Sequence, residues 1–222
     1  MTEGIGVGDP GPSPRPADWP DEPLGVTICR LSIDPVRGRV RHPLQVGIAI
    51  RTAMFLELAL SGRLVGQNWP EAVGPSDTGN KLPDSVHRAV AGRRSIGWRR
   101  WFSHVTADRV AATDYLLDAE VWRREGNRLV DPRAGETVLR QREIARAMSA
   151  GELPGDLYTL LVYLLVSGAG GCGRPAPRRA WRLAKVALPP LLPGQGGAAG
   201  YAAVRTGLRA IRRAATFRMF SR

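Results

Sequence analysis

"IRTAMFLELALSGRLV", residues 50–65, decides how the rest of the chain is read. Ten of its sixteen residues are apolar, and most are strong helix formers. Arg51 stands near its start with no acid beside it, and Glu57, six positions on, is the nearest opposite charge. Upstream, Pro43 suits a first helical turn. Downstream, Gly62 supplies a residue that tolerates positive φ where a helix must stop. The pattern predicts one long apolar helix from Pro43 to about Leu60, with a permanent cation set into it.

Outward from that helix, the expectation is a mainly α chain. "LYTLLVYLLVSG", 157–168, is apolar on every side and predicts a helix central to the core. Its strongly apolar part is about ten residues long, whereas a membrane span needs roughly 20. Helices are also expected at 82–92, from about Trp98 to Asp118, over "ETVLRQREIARAM" and over "APRRAWRLAKVAL". Glu125-Gly126-Asn127 lies between two β-like runs and predicts a hairpin. "VTICRLSID", 26–34, alternates and is β-branched, so with "DPVRG" and "RVR" it predicts a short N-terminal strand pair. The expected architecture is one helical domain around one apolar core. By composition, residues 1–24 read as a disordered tail, 25–188 as the domain, 189–200 as a linker and 201–222 as a basic amphipathic helix.

Charge is unevenly placed. The net charge is +12, yet from Leu157 to Arg222 there are eleven basic residues and no acid. Such a field attracts polyanions, either an anionic membrane surface or nucleic acid. In the last helix, Val204, Leu208, Ile211, Ala215 and Met219 share one face, with Arg205, Arg209, Arg212 and Arg213 on the flank and opposite side. That helix suits either docking on the core or lying in a bilayer interface. In "GRRSIGWRRWF", 92–102, Arg93, Arg94, Arg99 and Arg100 surround Trp98 and Trp101. Arginine with tryptophan suits a phosphate-rich surface, or stacking with single-stranded nucleic acid.

Catalytic signatures fail. "GAGGCG", 168–173, matches a dinucleotide fingerprint, but Pro175 and Pro177 follow at once and no acid lies downstream. His42, His87 and His104 have no Cys or His at ligand spacing, which argues against a metal site. Cys29 and Cys172 form no framework and fit a reducing compartment. The N-terminus has no basic and apolar signal regions. The reading is of a protein that is not an enzyme and needs no cofactor.

Laid in order, "ICRLSIDPVRGRV" (28–40), "IRTAMFLELALSGRLV" (50–65), "DTGNKLPDSVHRAV" (77–90), "DRVAATDYLLDAEVWRREGNRLV" (108–130) and "LYTLLVYLLVSGAGG" (157–171) carry a resemblance. Over roughly residues 25–172 the chain resembles the Golgi phosphoprotein 3 family, in a bacterial, actinobacterial-type form. The resemblance implies a mostly helical, non-enzymatic domain. It implies binding of phosphatidylinositol 4-phosphate or a similar anionic phospholipid at a membrane surface, as a peripheral protein on the inner face of the cytoplasmic membrane. A client membrane protein and homo-oligomerisation through the hairpin are further implied partners. Carried over, the family's headgroup positions fall on His42, Arg51, Thr106 and Arg109. Its Trp is replaced by His42 and one of its basic pair by Thr106. Trp98, Arg99 and Arg100 are auxiliary candidates. Arg51 is thereby expected to share a basic pocket with Arg109; the competing expectation is an ion pair with Asp108 or Asp114. Nucleic acid, bound by the C-terminal third, is the alternative partner.

Overall fold

The computed structural model describes residues 20–77, 79–93, 96–103, 105–192 and 194–217. It is mainly helical, 62% helix, with short antiparallel strand pairs. The order is α1 (Leu24–Arg30), β1 (Ile33–Asp34), β2 (Arg39–Val40), α2 (Pro43–Leu60), β3 (Leu64–Val65), β4 (Glu71–Ala72) and α3 (Lys81–Ala91). A 3-10 turn (Trp98–Phe102), α4 (Thr106–Asp118), β5 (Arg123–Glu125), β6 (Arg128–Val130) and α5 (Ala134–Ala150) follow. Then come α6 (Leu157–Ala169), α7 (Pro177–Ala187), a second 3-10 turn (Pro189–Leu191) and α8 (Gly194–Phe217).

Helix α2 is the axis. His42 enters it with φ 44°, Pro43 occupies its first turn, and Gly62 leaves it with φ 71°. It packs on α1, α3, α4, α6 and α8, so it is apolar nearly all round. Among the described residues it is the one helix long and apolar enough to cross a membrane, but 72% of it is buried within the fold, as in a core helix. Helix α6, too short for that test, is buried beside it. Asp156 caps α6 by accepting from the Thr159 amide at 2.8 Å. The glycines of 168–173 end it, with Gly170 at φ 87°.

Three sequence expectations need correction. Residues 26–30 form a helix, not a strand; the first strand starts at Ile33. Every residue from Leu24 to Cys29 is buried. Burying a Val, Ile or Leu side chain contributes about 1.5–3 kcal/mol, more than the few tenths that β-branching costs a helix. Glu57 of α2 accepts from the Leu24 amide at 2.8 Å and so caps α1. Leu24, read as the last residue of the tail, is thus the first residue of α1, and residues 1–19 lie outside the described residues. The segment read as a linker, 189–200, contains the second 3-10 turn and the first residues of α8. Its glycines serve close packing: a Cβ on Gly200 would stand 3.3 Å from Leu56 of α2. Of the two placements open for α8, the structure shows docking on the core. Val204, Leu208 and Ile211 are 0–1% exposed, so that face is closed to a bilayer, and Met219 lies outside the described residues.

A pH dependence follows from the contact of α5 with α6. The Tyr163 hydroxyl donates to Glu143 Oε1 at 2.5 Å, and Arg140 donates to Oε2 at 2.7 Å. The tyrosine bond, then the arginine, hold the Glu143 carboxyl below its usual range. Burial, then the bond to Glu143, push the Tyr163 phenol up to about 12. A lowered carboxyl stabilises above its unfolded value and loses that contribution as pH falls through the folded one. A raised phenol stabilises below its ordinary value of 10.0 and loses this as pH climbs toward about 12. Thermal melts against pH should therefore show stability falling on both flanks, and Tyr163→Phe should flatten the alkaline one.

Candidate functional site: a four-arginine cleft

The turn between β1 and β2 leans on the β5–β6 hairpin. The Leu129 amide donates to Gly38 O at 2.8 Å, and Gly38 has φ 59°. A Cβ there would stand 2.7 Å from Leu129 O, so this approach requires glycine. The hairpin is in register with Arg123 opposite Val130 and Glu125 opposite Arg128. Its turn, closed by Gly126 at φ 58°, is the one the sequence predicts.

Between hairpin, turn and α4 lies an open cleft of about 300 Å³. β2 contributes Arg39 and Val40, and Pro43 begins α2 at its margin. α4 contributes Arg109 and Thr113; the hairpin contributes Arg124, Asn127, Arg128 and Leu129. Thr113 donates to Arg109 O at 2.9 Å, within α4. Four guanidinium groups thus line one cleft, and among the described residues no acid lines it. None of the four forms an ion pair among the described residues. Like charges so gathered repel, and an anion between them is attracted by all four. Each guanidinium fork matches a carboxylate or phosphate edge.

Of the residues expected at a headgroup site, Arg109 lines this cleft. Arg51 does not. Its Nε donates to Asp108 Oδ2 at 2.6 Å and its Nη2 to Oδ1 at 2.9 Å, a bidentate pair, while Nη1 donates to Trp101 O at 3.0 Å. The pair is nearly closed to solvent, with 14% and 8% side-chain exposure. Burial outweighs the arginine and holds the Asp108 carboxyl above its usual range. The cation in the core helix is thus matched by an acid 57 residues away.

His42 is next to the cleft in sequence, but its Nε2 is bonded to Gly173 O at 3.0 Å. Thr106 is exposed in the first turn of α4. Arg99 and Arg100 are exposed on the 3-10 turn, and Arg94 lies outside the described residues. Trp98 is core: it is 5% exposed, donates to Gln67 O at 3.0 Å and meets Phe55 edge-on at 5.1 Å. Trp101 is 6% exposed, so neither indole is presented for stacking. Arg39, Arg124 and Arg128 are the cleft residues the sequence reading passed over. The available signal was the cluster of arginines on both sides of the hairpin turn.

Among the described residues no three His, Cys, Asp or Glu side chains gather as a metal site, and His104 lies outside them. Burial pushes both thiols, Cys29 and Cys172, up to about 12. Fold and cleft together define a mainly helical domain with an open, acid-free basic cleft. No family model, curated protein or solved structure matches the chain.

Proposed function

We propose that this protein is a peripheral membrane protein that binds the phosphorylated headgroups of anionic phospholipids through the cleft of Arg39, Arg109, Arg124 and Arg128. The observation that carries the reading is the convergence, from three separate elements, of four guanidinium groups on one cleft, with no ion pair to them and no acid lining it among the described residues. The resemblance of residues 50–65 and 108–130 to the Golgi phosphoprotein 3 family supports it, and makes phosphatidylinositol 4-phosphate the first headgroup to test. The protein would then work in the cytoplasm, on the inner face of the membrane.

The test is vesicle co-sedimentation with phosphatidylinositol 4-phosphate or phosphatidylglycerol at matched surface charge. Arg109→Ala/Arg128→Ala should weaken binding to phosphoinositide vesicles about tenfold or more, the value of one or two charge-assisted hydrogen bonds. Binding that is equal on both vesicles and unaltered in this variant would sink the cleft reading.

A second reading has its own observation. Arg178, Arg182 and Lys185 of α7 and Arg205, Arg209 and Arg212 of α8 are all exposed, within a stretch that holds no acid. That surface suits nucleic acid as well as a membrane. An electrophoretic shift that falls steeply with salt, and that Arg205→Gln/Arg209→Gln/Arg212→Gln abolishes, would favour it.

A further inference from the structure

A second cavity, of about 450 Å³, lies apart from the basic cleft and shares no lining residue with it. It is formed where α1, the start of α5 and α6 meet the chain at Pro20–Glu22. Its volume is in the range of small-molecule sites, about 300–1,000 Å³. Its chemistry differs from that of the cleft, because acids and bases both line it and Leu31 and Val162 give it an apolar floor.

One wall is already ordered. Tyr158 and Thr27 share a hydrogen bond at 2.7 Å, Thr27 donates to Glu22 at 2.6 Å, and Glu22 pairs with Arg30 at 3.2 Å. Arg30 Nε is shielded and has no acceptor among the described residues, where Glu22 meets that guanidinium on one side only. The opposite wall carries Arg133 and Glu136, three residues apart at the start of α5. Both are exposed, and neither has a side-chain hydrogen bond or ion pair among the described residues. Arg140, the third cation, is already bonded to Glu143.

The lining therefore offers a cation and an acid side by side, with one positive charge in excess over the two glutamates. A simple anion would meet Arg133 but also face Glu136. A molecule that carries a carboxylate and, a few ångströms away, an amine or hydroxyl would satisfy both. We propose that this cavity binds a small amino- or hydroxy-carboxylic acid of net negative charge, with its carboxylate on Arg133 and its donor on Glu136.

The test follows the arginine Nε–H signals of the full-length protein by NMR during titration with L-glutamate, L-malate and glutarate, which has no donor. Arg133→Lys assigns the Arg133 signal. L-glutamate or L-malate should shift that signal saturably, and bind more tightly than glutarate. In Arg133→Ala, followed through the Nε–H signal of Arg30, which also lines the cavity, binding should weaken about tenfold, the cost of a lost charge-assisted hydrogen bond. Glu136→Gln should erase the preference over glutarate. Both residues are exposed, so neither change threatens the fold. Arg109→Ala/Arg128→Ala, in the cleft, should leave the titration unaltered. The proposal is overturned if neither acid gives a saturable shift, if sodium chloride at equal ionic strength reproduces it, if glutarate binds equally well, or if the cleft variant abolishes it.

Discussion

Replacing Arg51 with alanine is expected to cost about 3 kcal/mol of folding stability, the lower end for breaking a buried ion pair. Denaturant unfolding measures it. The loss has two parts. Asp108, 8% exposed at its side chain, is left without the bidentate partner held at 2.6 and 2.9 Å. The Trp101 carbonyl loses its donor at 3.0 Å as well. The pH dependence has a definite sign. Burial already holds the Asp108 carboxyl above its ordinary value of 3.8, and removing Arg51 lifts it further. A carboxyl raised in the folded state costs nothing below its unfolded value and destabilises increasingly as pH rises through the folded one. The deficit of Arg51→Ala should therefore be smallest near pH 3 to 4 and largest at neutral pH. Arg51→Met/Asp108→Leu should regain much of it, because an apolar pair leaves no stranded charge. Vesicle binding at a temperature where Arg51→Ala is folded should equal that of the wild type, since Arg51 does not line the cleft. A loss of headgroup binding in that variant, with stability unaltered, would return Arg51 to the site.

Gly207→Ala should destabilise the protein by about 1–2 kcal/mol, although alanine is the better helix former by about 1 kcal/mol. The reason lies in the contact of α8 with α2. A Cβ on Gly207 would fall 2.0 Å from the Thr52 hydroxyl oxygen and 3.0 Å from its methyl carbon. Thr52 is fully buried and donates to Ile48 O at 2.8 Å, so it is held in place. Overpacking of this kind costs about 1–3 kcal/mol, enough to outweigh the propensity gain. Gly207→Val, with two further methyls, should cost more than 3 kcal/mol on the same scale and lift α8 from the core. The diagnostic variant is Thr52→Ala/Gly207→Ala. It removes the two atoms that clash and leaves the Thr52 Cβ position at 3.1 Å, so the double substitution should be less harmful than Gly207→Ala alone. Thermal melts of the four combinations give the coupling, expected at about 1–2 kcal/mol. Additive effects would mean that α8 does not sit on α2 at this point.

The Thr52–Gly207 contact also shows where sequence reading reached its limit. Thr52, Leu56 and Ala59 follow one another on one stripe of α2, and Gly200 and Gly207 answer them seven residues apart on α8. The apolar stripe of α8 was legible as Val204, Leu208 and Ile211. Whether it faced protein or lipid was not, because amphipathicity reports that a face is buried and not what buries it. The glycines of 194–200 misled for a related reason. Glycine lowers helix propensity locally, but here it admits a neighbouring helix to close range, and that neighbour lies about 140 residues away in sequence. Val26, Thr27 and Ile28 misled in the opposite direction, their β propensity yielding to a helix with all three buried.

By itself the sequence determined what local chemistry can write: the span of α2, the apolar α6, the hairpin at Gly126, the mainly helical class and the acid-free C-terminal third. The tertiary structure alone decided the partners. It gave Arg51 to Asp108, made Trp98 a core residue, docked α8, and gathered Arg39, Arg109, Arg124 and Arg128 around one cleft. Helix period, caps and turns depend on residues a few positions apart, so they can be read along the chain. An ion pair or a cleft depends on which distant surfaces meet, and that is set by the packing of the whole core.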